Sequence, residues 1–264
     1  MAKTYRPKFG EFCWTDAGFK DPAAAKKFYR ALLGWKFEDM PMDGGFTYAL
    51  AGVAGKNFGG LYPQMPEQRK AKQPPYWLPF IAVANLGRTL QKAKAAGGKL
   101  CHGPVDVSDF GRMAVMTDPT GPVFALWQAR GPAGALPRET PVSACWHDLS
   151  TPDTAKAAKF YAQVFGWKIR KMDFSGNAYN LFQLGKSQEG LGGMWPHPLP
   201  KHPPAWFTYF AVKSCARAVA KAKALGGRVI LGPITVPQTC TFAILRDPQR
   251  GSFGVLQPLP GSIA

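Results

Sequence analysis

Residues 13–36 and 145–168 of this chain are two versions of one segment, CWTDAGFKDPAAAKKFYRALLGWK and CWHDLSTPDTAKAAKFYAQVFGWK. Cys13/Cys145, Trp14/Trp146, Asp16/Asp148, Asp21/Asp153, Phe28-Tyr29/Phe160-Tyr161 and Gly34-Trp35-Lys36/Gly166-Trp167-Lys168 match at an offset of 132. Gly59-Gly60 recurs as Gly192-Gly193. From Pro74-Pro75-x-Trp77/Pro203-Pro204-x-Trp206 onward the offset is 129, kept by Gly97-Gly98/Gly226-Gly227, Gly103-Pro104/Gly232-Pro233 and Asp118-Pro119/Asp247-Pro248. A period this long means duplicated domains rather than a solenoid of short repeats. The Gly- and Pro-rich stretch 129–141 between the copies reads as a linker, giving expected domains at 1–128 and 142–264.

Each copy repeats one order of elements. An alternating segment (Phe9 to Thr15; Val142 to Leu149) predicts a strand. Asp21-Pro22 then marks a helix start, an acceptor for free N–H groups followed by Pro at the first helical position, and Asp153 has the same role. Ala24, Phe28 and Leu32 recur at helical spacing, and Gly34 supplies a left-handed cap. Three strands are expected near 35–40, 46–50 and 56–62. After a Pro-rich loop the order restarts with strand 77–83, helix 86–96 and strands near 99–102, 113–117 and 123–128. Each copy is thus two βαβββ units, and one helix per several strands predicts an α+β fold.

At 264 residues the chain can bury two cores, and 46% hydrophobic against 19% charged residues excludes a disordered polymer. No apolar run is long enough to span a bilayer, and the basic N-terminus leads into no apolar signal region. The expectation is a soluble cytoplasmic protein without a membrane partner. Five cysteines without a Cys-x-x-Cys pair read as small buried hydrophobes. The net charge of +17 favours anionic partners. Its lysines, however, are spread over Ala-rich helical stretches and accompany no nucleic-acid motif, which argues against nucleic acid as the main partner.

The set Asp21-Pro…Phe28-Tyr29…Leu33-Gly34-Trp35, Gly97-Gly98 and Asp118-Pro119-x-Gly121-x-x-Phe124-x-Leu126, repeated in the second copy, resembles the vicinal oxygen chelate superfamily. That group includes glyoxalase I, bleomycin-resistance proteins and extradiol dioxygenases. The resemblance implies that each pair of βαβββ units curls into an incomplete barrel around a cavity. It also implies one divalent metal, held by His, Gln or Glu on the first strand of each unit and on the last strand. At those positions stand Trp14, Leu78, Gly60 and Ala125 in copy one, and Trp146, Phe207, Gly193 and Gly254 in copy two. None offers an imidazole, thiolate or carboxylate donor, so the expectation is no metal and no cofactor. Of four histidines, His147 alternates with Trp146 and Asp148 and should face away from the cavity. His197 and His202 fall in a Pro-rich loop. Cys101 and His102 point to opposite faces and make a poor nucleophile–base pair.

What remains for the cavity is aromatic. Trp14 and Asp16, with Trp146 and Asp148, are expected to face inward from the first strands, joined by Trp77, Phe80, Trp206 and Tyr209. Aromatic walls with few polar anchors suit a small aromatic or amphipathic molecule. An Asp buried among them would have a raised pKa and could work as an acid, a base or a cation acceptor. The leading reading is therefore a small-molecule-binding protein. Alternatives are a lyase, isomerase or dioxygenase with a non-standard site around His147 and Glu189, or a protein docking an acidic partner on its basic surface. Single-domain relatives pair as dimers, so the fused chain is expected as a monomer or a homodimer.

Overall fold

The computed structural model describes residues 7–131, 136–137, 140–174, 176–196 and 203–259. Copy one runs β1 (Phe12–Phe19), α1 (Pro22–Leu33), β2 (Lys36–Met42), β3 (Phe46–Val53), β4 (Lys56–Pro63), α2 (Pro66–Lys70), β5 (Leu78–Ala82), α3 (Leu86–Ala95), β6 (Lys99–Val107), β7 (Gly111–Thr117) and β8 (Val123–Ala129). Copy two runs β9 (Ala144–Thr151), α4 (Thr154–Phe165), β10 (Trp167–Phe174), β11 (Asn177–Leu184), β12 (Gly190–Pro196), β13 (Ala205–Ala211), α5 (Cys215–Ala224), β14 (Arg228–Val236), β15 (Cys240–Arg246) and β16 (Ser252–Pro258). The βαβββ order thus holds four times. Short α2, in the Pro-rich loop, was not expected from the sequence. Two eight-stranded, curled half-barrel sheets result, ordered β2-β3-β4-β1-β5-β8-β7-β6 and β10-β11-β12-β9-β13-β16-β15-β14.

Helix ends follow the local chemistry. The Asp21 carboxylate accepts from the Ala24 N–H, and Gly34 takes a left-handed φ of 75° that a side chain would resist. Asp153 and Gly166 repeat this on α4. The inner face of α1 is Ala25, Phe28, Tyr29, Leu32 and Leu33. Ala24 is exposed, one position off the expected stripe.

The compact units do not coincide with the sequence copies. One comprises residues 1–14, 78–135 and 147–207; the other comprises 15–77, 136–146 and 208–264. Each therefore combines one βαβββ unit from each copy. In the second compact unit the Trp77 indole N–H donates to Tyr29 Oη at 3.0 Å, and Tyr29 donates to Asp247 Oδ2 at 2.9 Å. The first unit repeats the relay as Trp206 to Tyr161 at 3.0 Å and Tyr161 to Asp118 at 2.9 Å. The other oxygen of each aspartate accepts turn N–H groups, of Thr120 and Gly121 or of Gln249 and Gly251. Burial holds both carboxyls above the ordinary range, Asp247 at about 6.

The Gly-Trp-Lys motif joins the same cores. Trp35 stacks on Tyr29 at 5.0 Å and donates to the Val142 carbonyl at 2.7 Å. Trp167 stacks on Tyr161 at 5.1 Å and donates to the Gly10 carbonyl at 2.8 Å. Such ring pairs add about 0.5–1.5 kcal/mol each beyond area burial. The repeated Asp-Pro, Phe-Tyr and Gly-Trp pairs are thus fold-making contacts between the two copies.

Candidate functional site

On β1, Cys13 and Thr15 are buried towards packed neighbours, and Trp14 and Asp16 alternate with them. The Cys13 thiol donates to the Phe80 carbonyl, and Thr15 lies 3.5 Å from Thr208. Strand period places Asp16 and Gly18 on the face opposite the α1 core, which holds Ala17, Phe19, Ala49 and Leu61. Asp16 pairs with Gly60, and Leu50 with the same Gly60, so Tyr48, Gly60 and Tyr62 join Asp16 on that face.

Glycines make room for the rings. A Cβ at Gly60 would lie 2.2 Å from the Tyr48 ring, and one at Gly18 would lie 2.9 Å from the Tyr62 ring. The two rings run nearly parallel, 7° between planes and 6.5 Å between centroids. Tyr48 Oη donates to Asp16 Oδ2 at 3.4 Å, whereas the buried Oδ1 has no hydrogen-bond partner among the described residues. Asp16 is only 7% exposed. Loss of water around its carboxyl pushes the pKa up to about 8, partly offset by the Tyr48 hydroxyl. Burial, followed by the Asp16 charge, also raises Tyr62.

Copy two repeats the arrangement. Asp148 pairs with Gly193, and Tyr179 Oη donates to Asp148 Oδ1 at 2.7 Å. A Cβ at Gly193 would fall 1.7 Å from Tyr179 Oη. Trp195 and Ser150 stand where copy one has Tyr62 and Gly18.

The other expected ligand residues divide. Trp14 and Trp146 are half-buried on β1 and β9. Phe80 is buried opposite Ala125, and Tyr209 lies over Gly254, 5.9 Å from Phe242. Trp77 and Trp206 are corrected. Both are core side chains, 1% and 5% exposed, whose N–H groups are committed to the tyrosine relays, so neither offers a surface to a ligand. Of the cysteines, Cys101 departs from the expected burial and is exposed.

Residues that sequence reasoning missed are Tyr48, Tyr62 and Tyr179. Their signal was present: Tyr48-x-Leu50 and Tyr179-x-Leu181 recur at an offset of 131 beside the repeated glycine pairs.

The residues present do not fit the divalent metal that the resemblance implies. Where a carboxylate ligand would stand, Gly60 and Gly193 leave space that tyrosine rings fill. His147 packs its ring 4.1 Å from Phe12, and Glu189 is exposed. Among the described residues, no group of three or more His, Cys, Asp or Glu side chains converges; His197 and His202 lie outside them. A groove of about 730 Å³ lined by Lys20, Asp21, Lys26, Phe46 and Ala49 does not include Asp16, Tyr48 or Tyr62. No helix among the described residues is long and apolar enough to cross a membrane.

Four βαβββ units in two half-barrel sheets, with paired carboxyl–tyrosine sites, define a tandem paired-βαβββ protein. The model of the Glyoxalase/Bleomycin resistance protein/Dioxygenase superfamily matches residues 14–126 and 145–252, and the chain belongs to that superfamily. It is 36% identical over 262 residues to the Mycobacterium tuberculosis protein named "Putative glyoxylase CFP32", covering 98% of this chain and 99% of that one. It is 29% identical over 265 residues to the Streptomyces peucetius "Anthracycline biosynthesis protein DnrV", covering 94% and 93%. Among solved structures, the Mn(II)-bound glyoxalase from Novosphingobium aromaticivorans aligns with a TM-score of 0.64 at 18% identity, over 95% of this chain and 82% of that one. The 2,3-dioxygenase LapB from Pseudomonas sp. KL28 aligns with a TM-score of 0.64 at 15% identity, over 97% and 96%. These two likenesses are of fold.

Proposed function

We propose that this protein binds a small planar or amphipathic molecule at the Asp16–Tyr48–Tyr62 surface and at its counterpart around Asp148 and Tyr179, without a catalytic metal. One observation carries the reading: a carboxyl and a tyrosine hydroxyl occupy the place where relatives are expected to hold an ion. Two parallel rings beside a single polar anchor match flat ligands, which gain by stacking and are oriented by one hydrogen bond. Phe80, Tyr209, Trp14 and Trp146 are further candidates for ligand contact. Relatives named for anthracycline biosynthesis make fused-ring compounds a natural class to test. Cytoplasmic location and a monomer or homodimer belong to the same proposal.

The test is thermal-shift titration of the purified protein with a panel of planar aromatics, alongside elemental analysis for bound metal. A ligand should raise the melting temperature with concentration, as binding to the native state requires. Asp148→Asn and Asp16→Asn should each weaken that response. Unchanged titrations in both variants would remove these carboxyls from the site. Stoichiometric metal in the purified protein would instead favour the lyase or dioxygenase reading.

A second reading has its own support. A carboxyl at about 8 exchanges its proton near neutrality, which suits metal-free general acid–base catalysis in an isomerase or lyase. Turnover of an enolisable carbonyl compound, lost in Asp16→Asn, would establish it.

A further inference from the structure

Resting on the ligand-binding reading, the geometry points to a narrower ligand class: we infer that Asp16 Oδ1 receives a hydrogen bond from a neutral hydroxyl, phenolic or enolic, on a planar ligand. The argument begins with the two oxygens of one side chain. Oδ2 already accepts from Tyr48, while Oδ1 is buried and unpaired. A buried acceptor left without a donor is destabilising, and most such groups in native proteins find a partner. Nearby side chains do not supply one, because Tyr48 is committed to Oδ2 and the facing positions on β1 and β4 are Gly18 and Gly60.

The same surroundings select among donors. A metal ion would need further ligand atoms, and none converges here. An organic ammonium would need an ionised carboxylate, whereas burial keeps this group largely protonated at neutral pH. It would also approach a chain carrying +17. A neutral hydroxyl escapes both objections. Tyr48 is half-buried and stands over a glycine, so its ring can turn aside to admit the ligand without displacing backbone.

The experiment is isothermal titration of the Asp148→Asn chain, in which copy one alone keeps the acid, with three probes: 2-naphthol, 2-methoxynaphthalene and 2-naphthylmethylamine. The expected result is 2-naphthol binding roughly tenfold tighter than its methyl ether, the size of one added hydrogen bond. The double variant Asp16→Asn/Asp148→Asn should alter that ratio, and Tyr48→Phe in the single-variant background should preserve it. If naphthol and its ether bind the Asp148→Asn chain equally, the hydroxyl inference fails while aromatic binding stands. If the amine binds best, the carboxyl is an ionised cation acceptor and the inference is overturned. If no probe binds the parent chain, both the inference and the aromatic-ligand reading fall. The comparison among probes uses one chain, so it remains decisive even should the double variant not fold.

Discussion

Asp16 holds a carboxyl in a place where a charge is costly, and this has a thermodynamic signature. Folding raises its pKa from the ordinary carboxylate range to about 8, so between pH 4 and 8 the folded chain binds one proton more than the unfolded chain. Stability from this site is fullest below about pH 4 and is lost as pH rises through that window, by at most about 1.4 kcal/mol per pH unit. The groups facing it are Tyr48 from β3 and Tyr62 from β4, neither of which becomes charged in this range. Asp16→Asn cannot ionise. Its melting temperature relative to the parent should therefore climb from pH 4.5 to 8.5, and a difference that stays flat would mean that Asp16 is not a buried neutral acid. The neighbouring glycines give a paired prediction. At Gly59 a Cβ would meet the Thr15 carbonyl at 2.4 Å, so Gly59→Ala must distort the β1–β4 pairing and should cost about 1–3 kcal/mol in urea denaturation. At Gly60 it would meet only the mobile end of Tyr48, so Gly60→Ala should leave stability nearly intact while weakening aromatic ligands. Equal losses of stability in the two variants would contradict this division.

At the scale of elements, the relays that join a helix to a turn explain why two motifs recur in both copies. Tyr29 on α1 accepts from Trp77 and donates to Asp247, whose other oxygen ties the turn after β15. Tyr29→Phe keeps the ring stacked on Trp35 but leaves the Trp77 N–H and Asp247 Oδ2 each without that partner. The expected loss is about 1–3 kcal/mol, with a similar loss for Tyr161→Phe in the other unit, read from urea midpoints at constant m-value. Two unaffected midpoints would show the relays to be incidental. Element order and helix caps were legible in the sequence because they depend on neighbours a few residues apart: Asp21, Gly34, Asp153 and Gly166 act where their local chemistry says. The face of β1 carrying Asp16 was legible too, from strand alternation alone. The role of Trp77 was not. An aromatic beside a strand reads alike for a ligand wall and a core, and only a partner 48 residues away, Tyr29, decides which. Tyr48 was missed for a related reason, since its place over Gly60 depends on the pairing of β3 with β4, which no local pattern prints.

The duplication governs the whole molecule in a way that its linear repeat conceals. Both compact units draw on both copies, 15–77 with 208–264 and 78–135 with 147–207. The second unit buries Phe28, Tyr29 and Trp35 of copy one with Phe210, Phe253 and Val255 of copy two; the first buries Leu90, Met116 and Phe124 with Phe160, Tyr161 and Trp167. A chain ending near residue 131 would leave these apolar faces uncovered, and exposed area of that kind drives association or collapse. Separately expressed 1–131 is therefore expected to bind a hydrophobic dye or to self-associate, the two faces that copy two covers being available to a second fragment. An intact chain cut after Gly131 by an inserted protease site should behave differently. Its fragments should co-elute in native size-exclusion chromatography and part only in denaturant, because hydrophobic cores and the Tyr29–Asp247 and Tyr161–Asp118 bonds hold them without a peptide link. Fragments that separate without denaturant, each monomeric and cooperatively folded, would show that every copy completes its own core and that the repeat, not the mixed unit, is what folds.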